Sequence, residues 1–480
     1  MKNKLFAGIS KTEISTDAVL VNDPLYAKIL VFICDDKKYA FVSLDYISMG
    51  GGISELSDCF FANLKEQAEK RGIDTLVCGV THTHTLQPMI LEEKVVTEKI
   101  FQAMEKATEN AVPVTVGSGK GKNTDFIINR TLSLKDGSAW TIRQAHPCPP
   151  DSEISAIETA DETIGVVRID KEDKTPLCVL FTFGCHPLLG YANNLPTGNF
   201  PGIAAGIVEQ HTGAMAMMFQ SCGGDVTEVD YKNYDKPKNC EVWGKLLGLS
   251  VLDVVKDIKT ENADICSCIK SVTLPRRCDI PEIREKLFKE RDELVLRLGN
   301  CPLNFKAFLP LYMKYLTSPE FPLGYAYEYM REEGQGKTHL RDQDKINRAN
   351  IEKYLENLEI MEKLSKLAST LETIDWHERY NATFENTDAE SEVVGIRLGD
   401  TVFVTAPVEP LSEIGRKVCA ESPYEKTFII GYANGYFHYG APKTVYNNGG
   451  YETIECMLAP EWEERYEFAA KAAIEEVCGK

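Results

Sequence analysis

Short apolar runs and polar or glycine-bearing breaks alternate through the first 270 positions. "YAKILVFIC", the turn Asp35-Asp36-Lys37-Lys38 and "YAFVSLDYI" predict a hairpin over residues 26–47. "GISELSDCFFANLKEQAEKRG" carries apolar residues at helical spacing and stops at Gly72, and residues 89–110 repeat that pattern. Between them, "TLVCGV" (75–80) reads as a buried strand. "TIGVVRIDKEDKTPLCVLFTFGC" predicts a second hairpin, "AMAMMFQSCGG" a buried strand entering a glycine turn, and residues 238–258 a helix. Near residue 271 the character changes. From Pro281 to about Asn381 the chain is charge-rich and helical, most clearly over Glu282–Leu296 and Lys345–Leu371. Pro281 falls just inside a helix start, where its missing N–H costs nothing. Strand pattern returns in "EVVGIRLGDTVFVTAPVEP", with Gly399-Asp400 as a tight turn, and in "KTFIIGYANGY"; a last helix fills 460–477. The expectation is an α/β fold with mixed β-sheets and flanking helices. Its main domain comprises 1–270 and 382–480, split by a helical insertion over 271–381 that serves as a lid or packing subdomain.

Composition narrows the class. A chain of 480 residues with 43% hydrophobic and 26% charged residues is ordinary for a globular protein. The net charge of -19 argues against nucleic acid and anionic membrane surfaces as partners. The 15 cysteines are odd in number and mostly embedded in apolar runs, which points to reduced thiols in a cytoplasmic protein. Cys266 and Cys268 have no second pair at zinc-ribbon spacing. "MKNKLFAGISKTEIS" lacks the apolar core of a signal peptide, and no window reaches the length of a membrane span. Glycosylation at Asn381-Ala382-Thr383 is therefore not expected.

Candidate chemistry collects at the ends of the apolar strands. In "CGVTHTHTLQP", His82 and His84 stand two apart after a buried run, so strand geometry turns both toward one face. Two converging imidazoles can hold a metal, or one can hold it while the other moves a proton; a surface pair in a polar turn is the plainer alternative. His186 follows "FTFGC" and precedes a proline. Asp225 and Thr227 follow Gly223-Gly224. Glu409 sits between prolines after "TVFVT". Tyr436, His438 and Tyr439 follow "FII". Each has a structural alternative: a turn histidine, an ordinary Gly-Gly-Asp turn, a helix-capping glutamate, packing tyrosines. Together they suggest one shared site, because loops at strand ends carry function in open α/β folds.

The ordered set "THTHT", "INR", "CHP" with "NFPG", "GGDVT", "PVEP" and "YANGYFHYG...GGYE" resembles the neutral/alkaline, non-lysosomal ceramidase family. The resemblance runs from about residue 6 to 455 and covers that family's catalytic domain. It implies a zinc amidohydrolase acting on the N-acyl bond of ceramide or a ceramide-like amide, that is, a small-molecule or lipid-like substrate. By the resemblance, His82, His186, Glu409 and Tyr439 are zinc ligands. His84 is an acid/base or substrate-binding group, Arg130 binds near the substrate, Tyr451 is a second active-site tyrosine, and Thr227 stands where the family has a serine. Asp225 is a candidate partner for orienting a histidine, or a turn former. Zinc would lower the pKa of a water, and Tyr451 or Arg130 would stabilise the oxyanion.

Four departures accompany the likeness. Glu228-Val229 replaces Pro-Asn next to the serine-to-threonine change, Thr85-Leu86-Gln87-Pro88 lacks the usual Gly-Pro, the family's C-terminal β-sandwich is not seen, and no secretion signal is read. Two alternatives stay open on the residues alone: a metallohydrolase with an ester or phosphate substrate, and a non-catalytic binding module.

Overall fold

Eight strands form the larger sheet in the computed structural model, which describes residues 4–16, 19–85, 91–143, 149–233 and 235–479. In spatial order they are Met215–Gln220, Pro176–Phe183, Thr163–Lys171, Val112–Lys122, Leu5–Glu13, Tyr26–Cys34, Lys37–Leu44 and Thr75–Val80. The sheet is mixed: the pairings at both edges are parallel and those between are antiparallel. Every residue of Thr75–Val80 and of Met215–Gln220 is buried, which explains why these strands read as unbroken apolar runs without polar alternation. Gly79 fits this edge because a Cβ there would meet the Phe219 ring at 2.8 Å.

A second sheet, ordered Ile265–Pro275, Asp388–Leu398, Thr401–Thr405 and Lys426–Ile430, faces the first. One core joins them. Phe41 of the large sheet meets Phe219 and Phe403 edge-on at centroid distances of 6.3 and 6.1 Å, and Phe403 belongs to the second sheet. Helices cover the outer faces. Phe60–Lys70 and Glu93–Glu109 bury their apolar stripes on one part of the large sheet, and Asn199–Thr212 and Glu241–Val255 on another. Trp462–Val477 and Ser412–Glu421 cover the second sheet. The result is a layered α/β arrangement with mixed sheets between helices, as the pattern predicts.

The chain divides into two units, Met1–Arg277 with Arg379–Lys480, and Cys278–Glu378. The strand Ile265–Pro275 continues past residue 271, pairing Ser271–Pro275 with Asp388–Glu392, because Val272 and Leu274 alternate inward at strand period. The second unit contains the helices Ile280–Arg297, Phe305–Thr317 and Ala326–Gly334 and most of His339–Asn381, which is longer than the predicted 345–371. It has its own small cores, around Leu294, Ile360 and Leu367 and around Phe308, Tyr315 and Ile351. A buried Asp344 accepts hydrogen bonds from the hydroxyls of Tyr315 (2.9 Å) and Tyr329 (3.0 Å).

Candidate metal centre

The strand Thr75–Val80 ends just before the histidine pair, and His82 adopts φ +61°, in the left-handed region. The two rings therefore meet through a turn rather than by strand alternation, with their Nε2 atoms 3.1 Å apart. Tyr432 (φ +52°) and His438 (φ +56°) share this backbone region. Each such residue costs about 1–3 kcal/mol and persists only where its surroundings over-determine it. Here they do: Val80 N–H donates to the Tyr432 carbonyl, Cys78 N–H donates to Asn434 Oδ1, and the Tyr432 ring lies 4.5 Å from the His82 ring.

Backbone pairing brings the distant segments together. His186 bridges to Thr227, and Glu409–Pro410 pairs in parallel with Tyr439–Gly440, so that Glu409 and Tyr439 are register partners. His82 hydrogen-bonds through Nδ1 to the Ile47 carbonyl at 2.6 Å, and His186 through Nδ1 to the Gly223 carbonyl at 2.6 Å. A carbonyl only accepts, so each Nδ1 carries the proton and each Nε2 presents a lone pair to the site. His186 Nε2 is 2.9 Å and His82 Nε2 3.5 Å from Glu409 Oε2. That oxygen is buried and has no hydrogen-bond donor. The other oxygen, Oε1, accepts from the Tyr436 hydroxyl. Burial lowers His82 to about 4 and also lowers His186. The Nε2 lone pairs of His82 and His186 thus converge on a carboxylate oxygen, a donor set that suits a metal cation.

Tyr439 and His84 complete the cluster. The Tyr439 hydroxyl lies 3.0 Å from His186 Nε2 and accepts from Arg130 at 2.8 Å. Ligand atoms of His82, His84 and His186 all lie within 4.8 Å of one another. His82 and His186 are buried, whereas His84 is exposed.

Two solved structures are similar to this chain. One is the neutral ceramidase from Pseudomonas aeruginosa, with a TM-score of 0.61 and 14% identity, over 99% of this chain and 75% of that one. The other is a ceramidase complexed with C2, with a TM-score of 0.60 and 13% identity, over 99% and 76%. The chain has the fold of these ceramidases. No protein-family profile matches the sequence, and no curated protein matches it.

Within this ceramidase fold the remaining predicted residues take distinct places. Arg130 is buried, donating to Glu452 Oε1 at 2.7 Å and to the Gly224 carbonyl at 2.9 Å besides Tyr439. Tyr451 lies with its ring 5.6 Å from that of Tyr439 and is covered by Arg143, 3.7 Å from its centroid. Asp225 orients no histidine: its carboxylate accepts from Asn129 (2.7 Å) and from the hydroxyl (2.7 Å) and N–H (2.9 Å) of Ser412, pinning the start of the helix Ser412–Glu421. Burial pushes Asp225 up to about 6 despite those bonds. The Thr227 hydroxyl donates to Glu228 Oε2 at 3.2 Å, and Glu228 Oε1 accepts from the N–H groups of Leu188 and Leu189 at 3.0 and 3.2 Å. Thr227 thereby braces the turn that follows His186. Thr227→Ser is expected to leave stability within about 0.5 kcal/mol of the parent, and Thr227→Val to cost about 1–3 kcal/mol by removing the hydroxyl donor from the buried Glu228 Oε2. Urea denaturation of both variants measures the difference. Leu86, Gln87 and Pro88, singled out with Thr85 as a departure, lie outside the described residues.

Gln220 has no counterpart among the predicted residues. It ends the strand Met215–Gln220, and its Nε2 donates to the carbonyls of Thr81 and Cys185, both at 2.9 Å, while its Oε1 accepts from Cys185 N–H at 3.3 Å. One amide thus ties together the residues immediately before His82 and His186. Gln220→Leu is expected to weaken metal binding about 10–100-fold, the range seen when the supports of metal ligands are lost. Competition with a chromophoric chelator reads the affinity; an unchanged value would limit Gln220 to packing.

Proposed function

We propose that the chain is a zinc-dependent amidohydrolase that cleaves the N-acyl bond of ceramide or a ceramide-like amide. The observation that carries this reading is the pair of Nε2 lone pairs converging on the donorless Glu409 Oε2, set in a fold similar to ceramidases. His82, His186 and Glu409 hold the ion, with Tyr439 as fourth ligand; imidazole, carboxylate and phenol oxygen donors suit zinc. When bound, zinc supplies Lewis acidity that polarises the acyl carbonyl and brings the pKa of water toward neutrality. His84, exposed and beside His82, accepts a proton and delivers one to the departing amine, which leaves poorly as an anion. The buried Arg130, through the Tyr439 hydroxyl and together with Tyr451, favours negative charge developing on the acyl oxygen.

A cavity of about 420 Å³, lined by Leu189, Tyr231, Val242, Trp243 and polar groups including Lys236 and Asn239, opens three residues beyond both His186 and Thr227. Three residues span at most about 11 Å, so Leu189 and Asp230 bring this cavity close to the ligands, and we assign it to one arm of the substrate. Fourteen cysteines among the described residues carry free thiols, which supports a reducing compartment, the cytoplasm. No helix among the described residues is long and apolar enough to cross a membrane.

The test is hydrolysis of N-acyl amides of graded chain length by metal-depleted and zinc-loaded protein. Zinc at one ion per chain, activity only in the loaded form, and loss on adding chelator are expected. Zinc-loaded protein that binds the amides without cleaving them points to a binding module, and cleavage of esters or phosphates alone points to another hydrolase class.

A further inference from the structure

The helix Phe305–Thr317 buries only one side. Phe308 and Tyr315 enter the core of the helical unit, with Leu311 and Tyr312 partly covered. At about 100° per residue, Phe305, Leu309, Met313 and Leu316 fall within an arc of roughly 80°. These four are 62%, 43%, 48% and 55% exposed. They form a contiguous apolar ladder facing solvent, where an isolated exposed residue would need no explanation. Val295, Leu296 and Leu298, just upstream, are exposed as well, and so are Tyr325 and Tyr327 at the start of the next helix.

The charge pattern identifies what covers this face. The chain carries 72 acidic residues, yet residues 294–319 contain none, and they include Arg297, Lys306 and Lys314, all exposed. A protein of net charge -19 thus presents its bare apolar helix on a 26-residue stretch that carries cations and no acid, bounded by Glu293 and Glu320. We propose that this face docks on an anionic lipid surface: the ladder enters the headgroup boundary and the cations meet lipid phosphates and carboxylates. Lys306 falls about 20° beyond the edge of the ladder, and its aliphatic stem lets the ammonium group reach the headgroups while the helix lies flat. Tyr325 and Tyr327 are the ring type favoured at such boundaries. Pairing with a second copy of the same face would bury the ladder too, but would set like charges against one another. The global acidity that disfavours anionic membranes does not decide the matter, because surface charges more than a Debye length away are largely screened.

The proposal deepens the lipid-amide reading by giving the enzyme a way to sit where such a substrate resides, and its test does not need hydrolysis. Full-length protein is sedimented with vesicles of phosphatidylcholine alone and of phosphatidylcholine mixed with phosphatidylglycerol, at low and high salt. Binding to the anionic vesicles is expected to exceed binding to the neutral ones by about fivefold for each cation that reaches the surface, and to fall as salt rises. Leu309→Glu with Met313→Glu should abolish sedimentation, and Lys306→Glu should weaken it about fivefold or more. All three positions are exposed, so circular dichroism and the hydrolysis of a short-chain, water-soluble amide should stay at parent levels. No sedimentation with either vesicle overturns the proposal. So does a concentration-dependent dimer that the Leu309→Glu/Met313→Glu variant abolishes, which would assign the face to self-association. Vesicle binding by a protein that hydrolyses no amide would leave the docking face standing and remove the enzymatic reading.

Discussion

Glu409→Gln is expected to destroy zinc binding and hydrolysis while leaving the metal-free protein at least as stable as its parent. The carboxylate is the one negative group among the proposed ligands, and two imidazole lone pairs already point at its Oε2. An amide keeps an acceptor for the Tyr436 hydroxyl and offers an N–H where the carboxylate offers only a lone pair. The apo site thus gains a donor at the position of the unpartnered Oε2 and loses a buried anion. Zinc should stabilise the parent by about 2.7 kcal/mol at a hundredfold excess over Kd and leave the variant unmoved. Hydrolysis should fall by at least about 10²–10³-fold, the scale of losing a main electrostatic element of a site. Calorimetry with and without zinc, beside turnover, checks all three. A variant that still melts higher with zinc would remove Glu409 from the ligand set.

Arg130→Met is expected to be the most damaging single change to stability at the site. Its guanidinium is the partner of Glu452, whose second oxygen accepts from the Thr141 hydroxyl at 2.6 Å, and both residues are buried. Removing the cation alone leaves a carboxylate uncompensated in the interior, at a cost of about 3–5 kcal/mol. The double variant Arg130→Met/Glu452→Leu should recover much of that loss, because a buried ion pair is often replaceable by apolar side chains of similar size. It should recover none of the hydrolysis if Arg130 supports charge on the acyl oxygen. Urea denaturation and kcat/KM on the two single variants and the double complete the cycle. Recovered activity in the double variant would make Arg130 purely structural.

Much of the site is visible along the chain because each chemical group follows an apolar strand. His82, His186 and Glu409 all stand at such ends, and Tyr439 follows the next strand after a short loop. What they do together is not local information. Glu409 and Tyr439 are paired by a two-residue bridge that no periodicity announces. Gln220 looks like the last residue of an apolar strand, and its importance lies in two carbonyls from segments 139 and 35 residues away. Tyr436 has the spacing of a packing residue, and only the fold aims its hydroxyl at Glu409. Asp225 has the right type and place to orient a histidine, yet Asn129 and Ser412 claim both its oxygens. The strands and helices themselves were legible from apolar period and turn residues. That two sheets share one core was not, since a buried run does not say which face of which sheet it meets.

The order of the proposed ligands along the chain bears on how the protein is made. His82 and His186 leave the ribosome long before Glu409, and Tyr439 comes later still. At about 5–20 residues per second, the 327 residues between His82 and Glu409 take about 16–65 s to synthesise. Through that interval a nascent chain offers the imidazoles of His82, His84 and, later, His186 without the Glu409 carboxylate. The full proposed ligand set assembles only once the Glu409 and Tyr439 segments have paired, and a ribosome that stalls before residue 409 releases a product without the carboxylate and the phenol.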